Sequence, residues 1–286
     1  METIDCLTLW NGVRIPTLGI GTSFVGGYSH EAMVHALKHC NVRHIDTARK
    51  YHNEHLVAMA ILESGVVRDK LFITSKAWPS DYGYESTKTA FRESLQQTQV
   101  DYFDLYLLHF PKSPDGTSDK KLISESWKAL EELYAQGLCK SIGVSNFEIS
   151  DIENLKETWT VIPMVNQIEV HVFYYPKELI EYCQGLGMQI VAYCPLAKGK
   201  VMAHHVIINM ADKLSRKCSQ IASRWVIQHG LAAIPKSTKC SRVEENSKVF
   251  DFTLSDEDME TLNQIHVTDG QRVTDPRRVR FDQLAL

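Results

Sequence analysis

Along the chain, short runs of apolar or β-branched residues alternate with longer segments of helical period. Eight runs read as strands: Leu18–Thr22, His44–Thr47, Phe72–Lys76, Phe103–His109, Ser141–Ser145, Met164–Val170, Gln189–Tyr193 and Ala232–Pro235. Several are continuously apolar rather than alternating, the pattern of strands buried on both faces of a parallel sheet. Between them, Ile123, Trp127, Leu130 and Tyr134 form one helical stripe, and Gly137 stands where a helix-ending glycine is expected. Ser150–Glu153 and Ser241–Glu244 have capping-box spacing and predict two more helix starts. Parallel neighbours need a crossover, so repeated strand-then-helix units build a parallel sheet. Eight units in 286 residues predict a closed (β/α)8 TIM barrel, one domain over residues 1–286.

Two details refine that expectation. Leu7–Pro16 holds two short apolar runs around Asn11-Gly12, a hairpin signal, and predicts an N-terminal β-hairpin capping the barrel's bottom. Gly19-Ile-Gly21 supplies two glycines of a dinucleotide-binding fingerprint, but Phe24 stands where the third belongs. The fingerprint of an open doubly wound sheet therefore fails.

Composition narrows the class. With 31 Lys+Arg against 35 Asp+Glu the net charge is −4, which argues against a nucleic-acid binder. No apolar run reaches the ~18 residues of a membrane span. The acidic start Met-Glu-Thr-Ile-Asp argues against a leader peptide. Seven cysteines without a C-x-x-C pair read as reduced thiols, and the expected compartment is the cytoplasm. His52-Asn-Glu-His55 does not match H-E-x-x-H, so no metal is expected.

Chemistry in such a barrel gathers where strands end. Three consecutive strands finish in Asp46, Lys76 and His109, with Tyr51 in the loop after the first of them. Singly, each has an ordinary reading: Asp46 and Lys76 a buried ion pair, His109 a structural histidine, Tyr51 a core aromatic with a wet hydroxyl. Together they form a proton-delivery apparatus. A phenol of pKa ~10 is a poor acid at neutral pH, and a nearby ammonium should lower that value. Asp46 would keep the Lys charged, and His109 would hold a carbonyl oxygen against Tyr51, as carbonyl reduction requires.

These segments identify a resemblance. His44-Ile-Asp-Thr-Ala-Arg-Lys-Tyr-His-Asn-Glu54, Phe72-Ile-Thr-Ser-Lys76, Asp104-Leu-Tyr-Leu-Leu-His109, Ser141-Ile-Gly-Val-Ser-Asn-Phe147, Val165-Asn-Gln-Ile-Glu169, Ala192-Tyr-Cys-Pro-Leu196 and Ile234-Pro-Lys-Ser237 stand in the order found in the aldo-keto reductases. The resemblance spans nearly the whole chain. It implies a catalytic tetrad of Tyr51, Lys76, Asp46 and His109, and NADPH/NADP+ extended across the barrel mouth. It further implies ordered binding with cofactor first, and transfer of the pro-R hydride to a small-molecule carbonyl.

The implied cofactor contacts are Gly21, Thr22 and Asp46 on the first strands, then Ser145, Asn146 and Gln167 at the carboxamide, with Tyr193 under the nicotinamide. Pro195, Leu196, Lys198 and Lys200 match the segment over the pyrophosphate. Lys236, Ser237, Thr238 and Arg242 match the grip on the 2′-phosphate, and Glu245 and Asn246 the adenine contacts. An anion at a helix N-terminus beside an arginine is physically favourable, so NADPH is expected over NADH. The expected substrate wall is Ser23, Phe24, Trp78 and Phe110, with Phe110 where the family often has Trp. The short loop 112–121 and the tail Asp275–Phe281 resemble the compact, prostaglandin F synthase-type members. Arg49 and Lys50 read either as solvated charges or as attraction for an anionic substrate. Lipid-directed reduction of a prostaglandin or steroid remains open, as does a non-catalytic role as an NADPH-binding module. Most relatives are monomers, and a monomer is expected.

Overall fold

The computed structural model describes residues 4–23, 26–274 and 279. Eight parallel strands surround one core: β3 (Gly19–Gly21), β4 (His44–Asp46), β5 (Phe72–Ala77), β6 (Leu105–Leu108), β7 (Ile142–Ser145), β8 (Val165–Glu169), β9 (Gln189–Tyr193) and β10 (Ala232–Ala233). They are hydrogen-bonded in chain order, and a parallel bridge between Leu18 and Ala233 joins the first edge to the last. All eight strands coincide with the apolar runs. Every residue of β6 is fully buried, which is why that run shows no alternation.

Helices α1 (His30–His39), α2 (Glu54–Ser64), α3 (Tyr84–Thr98), α4 (Lys120–Ala135), α5 (Ile149–Lys156) and α6 (Lys177–Gly185) make the first six crossovers. The seventh holds two helices, α7 (His205–Leu214) and α8 (Cys218–Gln228), and α9 (Cys240–Ser247) and α10 (Asp256–Thr268) follow β10. In α4 the stripe Ile123, Trp127 and Leu130 is buried, Asp119 caps its start, and Gly137 adopts φ 74° just past its end.

Both capping boxes fall elsewhere than the spacing predicts. Helix α5 starts two residues early, because the Asp151 carboxylate accepts the Glu148 N–H and makes Glu148 the cap. Helix α9 starts after Lys239, and no side chain caps it.

The hairpin is β1 (Cys6–Thr8) paired antiparallel with β2 (Arg14–Pro16), turning through Gly12 at φ 86°. It closes the end of the barrel where strands begin. Asn11 Nδ2 donates to the Lys140 carbonyl ahead of β7, and Trp10 Nε1 to the Ile162 carbonyl ahead of β8. Leu9 and Ile15 fill the space beneath.

Packing requires the glycine pair of β3. A Cβ on Gly19 would stand 2.8 Å from the His44 ring, and one on Gly21 would stand 3.2 Å from the Ile234 carbonyl. Among the described residues, no helix is long and apolar enough to cross a membrane.

Candidate active site

The site lies at the opposite mouth, where β4, β5 and β6 deliver Asp46, Lys76 and His109 side by side. Lys76 is wholly buried; its Nζ donates to Asp46 Oδ1 at 2.6 Å and to the Thr47 carbonyl at 2.8 Å. Burial pulls the Lys76 pKa below the ordinary lysine value while Asp46 pushes it back up. The other Asp46 oxygen accepts from Gln167 Nε2 at 2.7 Å.

Tyr51 ends a 3-10 turn, Arg49–Tyr51, which runs from extended Ala48 to His52 at φ 52°, with Asn53 directly after it. Buried Asn53 donates to the Thr22 carbonyl at 2.7 Å and accepts from Thr47 Oγ1 at 3.0 Å, tying the first two loops together. The Lys76 ammonium stands 5.2 Å from the Tyr51 ring centroid, and Tyr51 OH lies 3.5 Å from His109 Nε2. An oxygen placed between the phenol and the imidazole would reach both.

The electrostatics differ from expectation in one respect. The Tyr51 pKa is raised well above the usual phenol value, by burial first and then by Asp46, Cys194 and Tyr193. The Lys76 charge is offset by Asp46 and does not overcome desolvation. Tyr51 therefore stays protonated at neutral pH. The His109 pKa is depressed well below its ordinary value by burial, then by Lys76 and Lys50, which keeps the ring neutral. His109 Nδ1 is buried without a partner among the described residues. A bare lone pair there, with the proton on Nε2 facing Tyr51, leaves no buried N–H unsatisfied.

The residues expected at the nicotinamide adjoin this centre. Parallel pairing sets Ser145 beside Gln167 and Glu169 beside Tyr193. Ser145 Oγ donates to the Gln167 carbonyl, and Asn146 Nδ2 to the His109 carbonyl at 2.9 Å and to Ser145 Oγ at 3.1 Å. Tyr193 OH donates to Asn146 Oδ1 at 2.7 Å. Thr22 Oγ1 donates to the Asp46 carbonyl.

Beyond Tyr193 the backbone is strained, with Cys194, Ala197 and Lys198 all at positive φ. Pro195 is buried there and Leu196 half-buried. Lys198 and Lys200, expected at the pyrophosphate, reach residues just beyond α10: Lys198 Nζ donates to the Val273 carbonyl, and Lys200 Nζ to Gln271 Oε1.

Glu169, which sequence reasoning quoted without a role, anchors the same stretch. Wholly buried, it accepts from Val273 N at 2.5 Å, Thr274 N at 3.2 Å and His171 Nε2 at 2.9 Å, and from the Thr274 hydroxyl. A polar residue closing an apolar strand was the available signal; its partner lies 105 residues away.

At the far end of the mouth, Lys236, Ser237 and Thr238 lead into α9, with Arg242 exposed in its first turn, Glu245 half-buried and Asn246 buried. A Cβ on Gly26 would lie 3.8 Å from Lys236 Nζ, so the ammonium leans toward the first loop. Arg242 forms no ion pair with any described residue, and the uncapped turn leaves its first N–H groups open to an anion. This donor set fits a phosphate monoester.

The expected substrate wall lies partly within the described residues. Trp78 meets His109 edge-on at 5.0 Å and Phe110 at 5.6 Å, and Phe110 stacks on His109 at 5.4 Å. Ser23 is half-buried at the rim. Phe24 and the tail motif Asp275–Phe281, apart from Val279, lie outside the described residues. Arg49 does not face this wall: it pairs with Asp81 at 3.0 Å and Glu93 at 2.8 Å.

Comparison with known proteins gives consistent matches. The profile of the aldo/keto reductase family matches residues 17–209 and 202–267. The chain is 43% identical over 264 residues to glyoxal reductase of Bacillus subtilis, covering 92% of this chain and 93% of the relative. It is 39% identical over 267 residues to a 9,11-endoperoxide prostaglandin H2 reductase of Trypanosoma cruzi, covering 92% of each. Among solved structures, a Bombyx mori aldo-keto reductase in complex with NADP matches with TM-score 0.88 at 32% identity, covering 96% of both chains. A Brucella melitensis aldo/keto reductase matches with TM-score 0.86 at 39% identity, covering 92% of this chain and 100% of that one.

Proposed function

Because the chain belongs to the aldo/keto reductase family, we propose that it reduces aldehydes or ketones to alcohols with NADPH, Tyr51 serving as general acid. The observation that carries this reading is the meeting of Tyr51 OH and His109 Nε2, 3.5 Å apart, in front of the buried Lys76–Asp46 pair. NADP-bound relatives of the same fold support the cofactor class.

The side chains divide the work as follows. His109 Nε2–H donates a hydrogen bond to the carbonyl oxygen and orients it toward Tyr51. When bound, NADPH supplies a hydride to the carbonyl carbon. As negative charge grows on the oxygen, Tyr51 gives up its proton, forming the O–H bond of the alcohol and leaving a phenolate. Lys76, fixed by Asp46 and the Thr47 carbonyl, stabilises that phenolate, which regains a proton from solvent after product leaves. Because burial holds Tyr51 protonated, the acid form stands ready at neutral pH. Trp78 and Phe110 exclude water, which strengthens each of these interactions.

The alternative of an inactive NADPH-binding module has no particular feature of the site in its favour. The deciding measurement is NADPH oxidation with 4-nitrobenzaldehyde by the wild type and by Tyr51→Phe. Removing the acid should lower kcat by about 100-fold or more with NADPH still bound, as fluorescence titration would report. Equal turnover in the variant overturns the assignment of Tyr51.

A further inference from the structure

Two adjacent cations precede the catalytic tyrosine, and the fold treats them differently. Arg49 turns toward α3, where Asp81 and Glu93 neutralise it. Lys50 turns inward and is only 9% exposed. Its Nζ lies 5.1 Å from the ring centroid of Trp78, whose ring is itself 5.0 Å from that of His109. The ammonium therefore stands within about 10 Å of the imidazole centre, the two distances laid end to end. A cation stacked on the indole of a substrate pocket remains a charge that the pocket presents. Among the described carboxylates nearby, Asp46 is held by Lys76 and Gln167, and Asp81 by Arg49 and the Trp78 backbone N–H.

We propose that Lys50 recognises a carboxylate on the substrate, so that this site selects oxo acids, aldehydes or ketones carrying a carboxylate within several bonds of the carbonyl. The proposal rests on the reductase reading above and adds the substrate class to it. With the carbonyl oxygen between Tyr51 and His109, a substrate bound along the face of Trp78 brings its far end toward Lys50. Trp78, Phe110 and His109 make that path largely apolar, so an ammonium–carboxylate contact there is weakly screened. An ammonium carries three N–H donors and can hold a carboxylate alongside a protein partner. Lys50 follows directly onto Tyr51 in one 3-10 turn, so the anion site and the acid keep a fixed spacing. In this role Lys50 acts on binding and selectivity, not on proton transfer.

The test compares 4-carboxybenzaldehyde with its neutral methyl ester as substrates of the NADPH-loaded enzyme. The ratio of their kcat/KM values should fall about tenfold in Lys50→Met, through KM for the acid, and Lys50→Arg should restore most of it. A ratio that Lys50→Met leaves unmoved while both probes are reduced overturns this inference alone. Failure of the wild type to reduce either probe overturns the reductase reading and this inference with it. A second measurement needs no variant. In the wild type, 4-(hydroxymethyl)benzoate should compete against the ester substrate about tenfold more tightly than its own methyl ester does, and equal inhibition by the two again overturns the assignment.

Discussion

Gln167 Nε2 donates to Asp46 Oδ2 at 2.7 Å, the carboxylate oxygen that Lys76 does not hold. One buried carboxylate thus links a residue expected to hydrogen-bond the carboxamide to the lysine behind the phenol. The link crosses the barrel from β8 to β4, elements 121 residues apart in the chain. In the proposed function, cofactor placement and proton delivery consequently share a support.

Breaking either half of that support should cost more than its own contact. Asp46→Asn leaves a buried ammonium without its counter-charge, a loss of about 3–5 kcal/mol. Lys76→Met strands the carboxylate in the same way. The double variant should be much less destabilised than the sum of the singles, since neither charge is then left alone. Gln167→Leu should cost about 1.5–3 kcal/mol by removing one charged hydrogen bond. Urea unfolding of the four proteins checks this; strict additivity of Asp46→Asn and Lys76→Met would show that the pair is not coupled.

A histidine away from the chemistry should set the acid limit of stability. His44 is fully buried between the Pro16 carbonyl and Thr74 Oγ1, and burial lowers its pKa from 6.5 to about 4. Between those values the unfolded chain binds a proton that the native state refuses. Stability from this group is therefore complete above pH 6.5 and is lost as pH falls toward 4, by roughly 3 kcal/mol in total. Melting curves from pH 7 to 4.5 should fall less steeply for His44→Gln than for the wild type, after allowing for its lower starting Tm. Parallel slopes would remove His44 from the acid sensitivity.

His44 also explains what could be read from sequence and what could not. Gly19 looked like half of a phosphate-binding fingerprint because the fingerprint is local, whereas its cause, the His44 ring pressed against its Cα, is a cross-strand contact. The barrel strands were legible because strands buried on two faces leave continuous apolar runs. Asp46, Lys76 and His109 were legible because each closes such a run. Asn53, Glu169 and the engagement of Lys198 and Lys200 were not, because their partners are backbone groups of distant loops that no spacing encodes. The Tyr51 pKa direction was misjudged for a related reason. Sequence shows a nearby lysine but not that Asp46 offsets its charge and that burial outweighs both.

The arginine at the start of α9 supplies a test of cofactor choice. Arg242 is exposed in an uncapped first turn, beside Ser237 and Thr238. A 2′-phosphate there would meet a guanidinium and free N–H groups, whereas a 2′-hydroxyl gains little from either. Arg242→Ala should raise the Kd for NADPH about 10- to 30-fold and alter that for NADH far less. Tryptophan quenching titrations of both nucleotides measure this, and an unchanged NADPH:NADH ratio would place the phosphate elsewhere.

Glu169 makes the strongest claim on dynamics. Its carboxylate accepts two backbone N–H groups and a hydroxyl from Val273 and Thr274, and the same threonine hydroxyl lies 3.3 Å from Tyr193 OH. Lys198 and Lys200 grip the stretch from the other side. Residues 271–274 are thereby pinned beside Tyr193, the residue expected beneath the nicotinamide. In Glu169→Gln one acceptor oxygen becomes an amide donor facing N–H groups that also donate, so the clasp should open while the barrel persists. Hydrogen exchange should accelerate at residues 271–274 by about tenfold or more, with protection in β6 unchanged. NADPH affinity should fall with it, because Tyr193 loses one of the groups that fix its hydroxyl. Faster exchange without weaker NADPH binding would show that the clasp secures residues 271–274 and contributes nothing to cofactor binding.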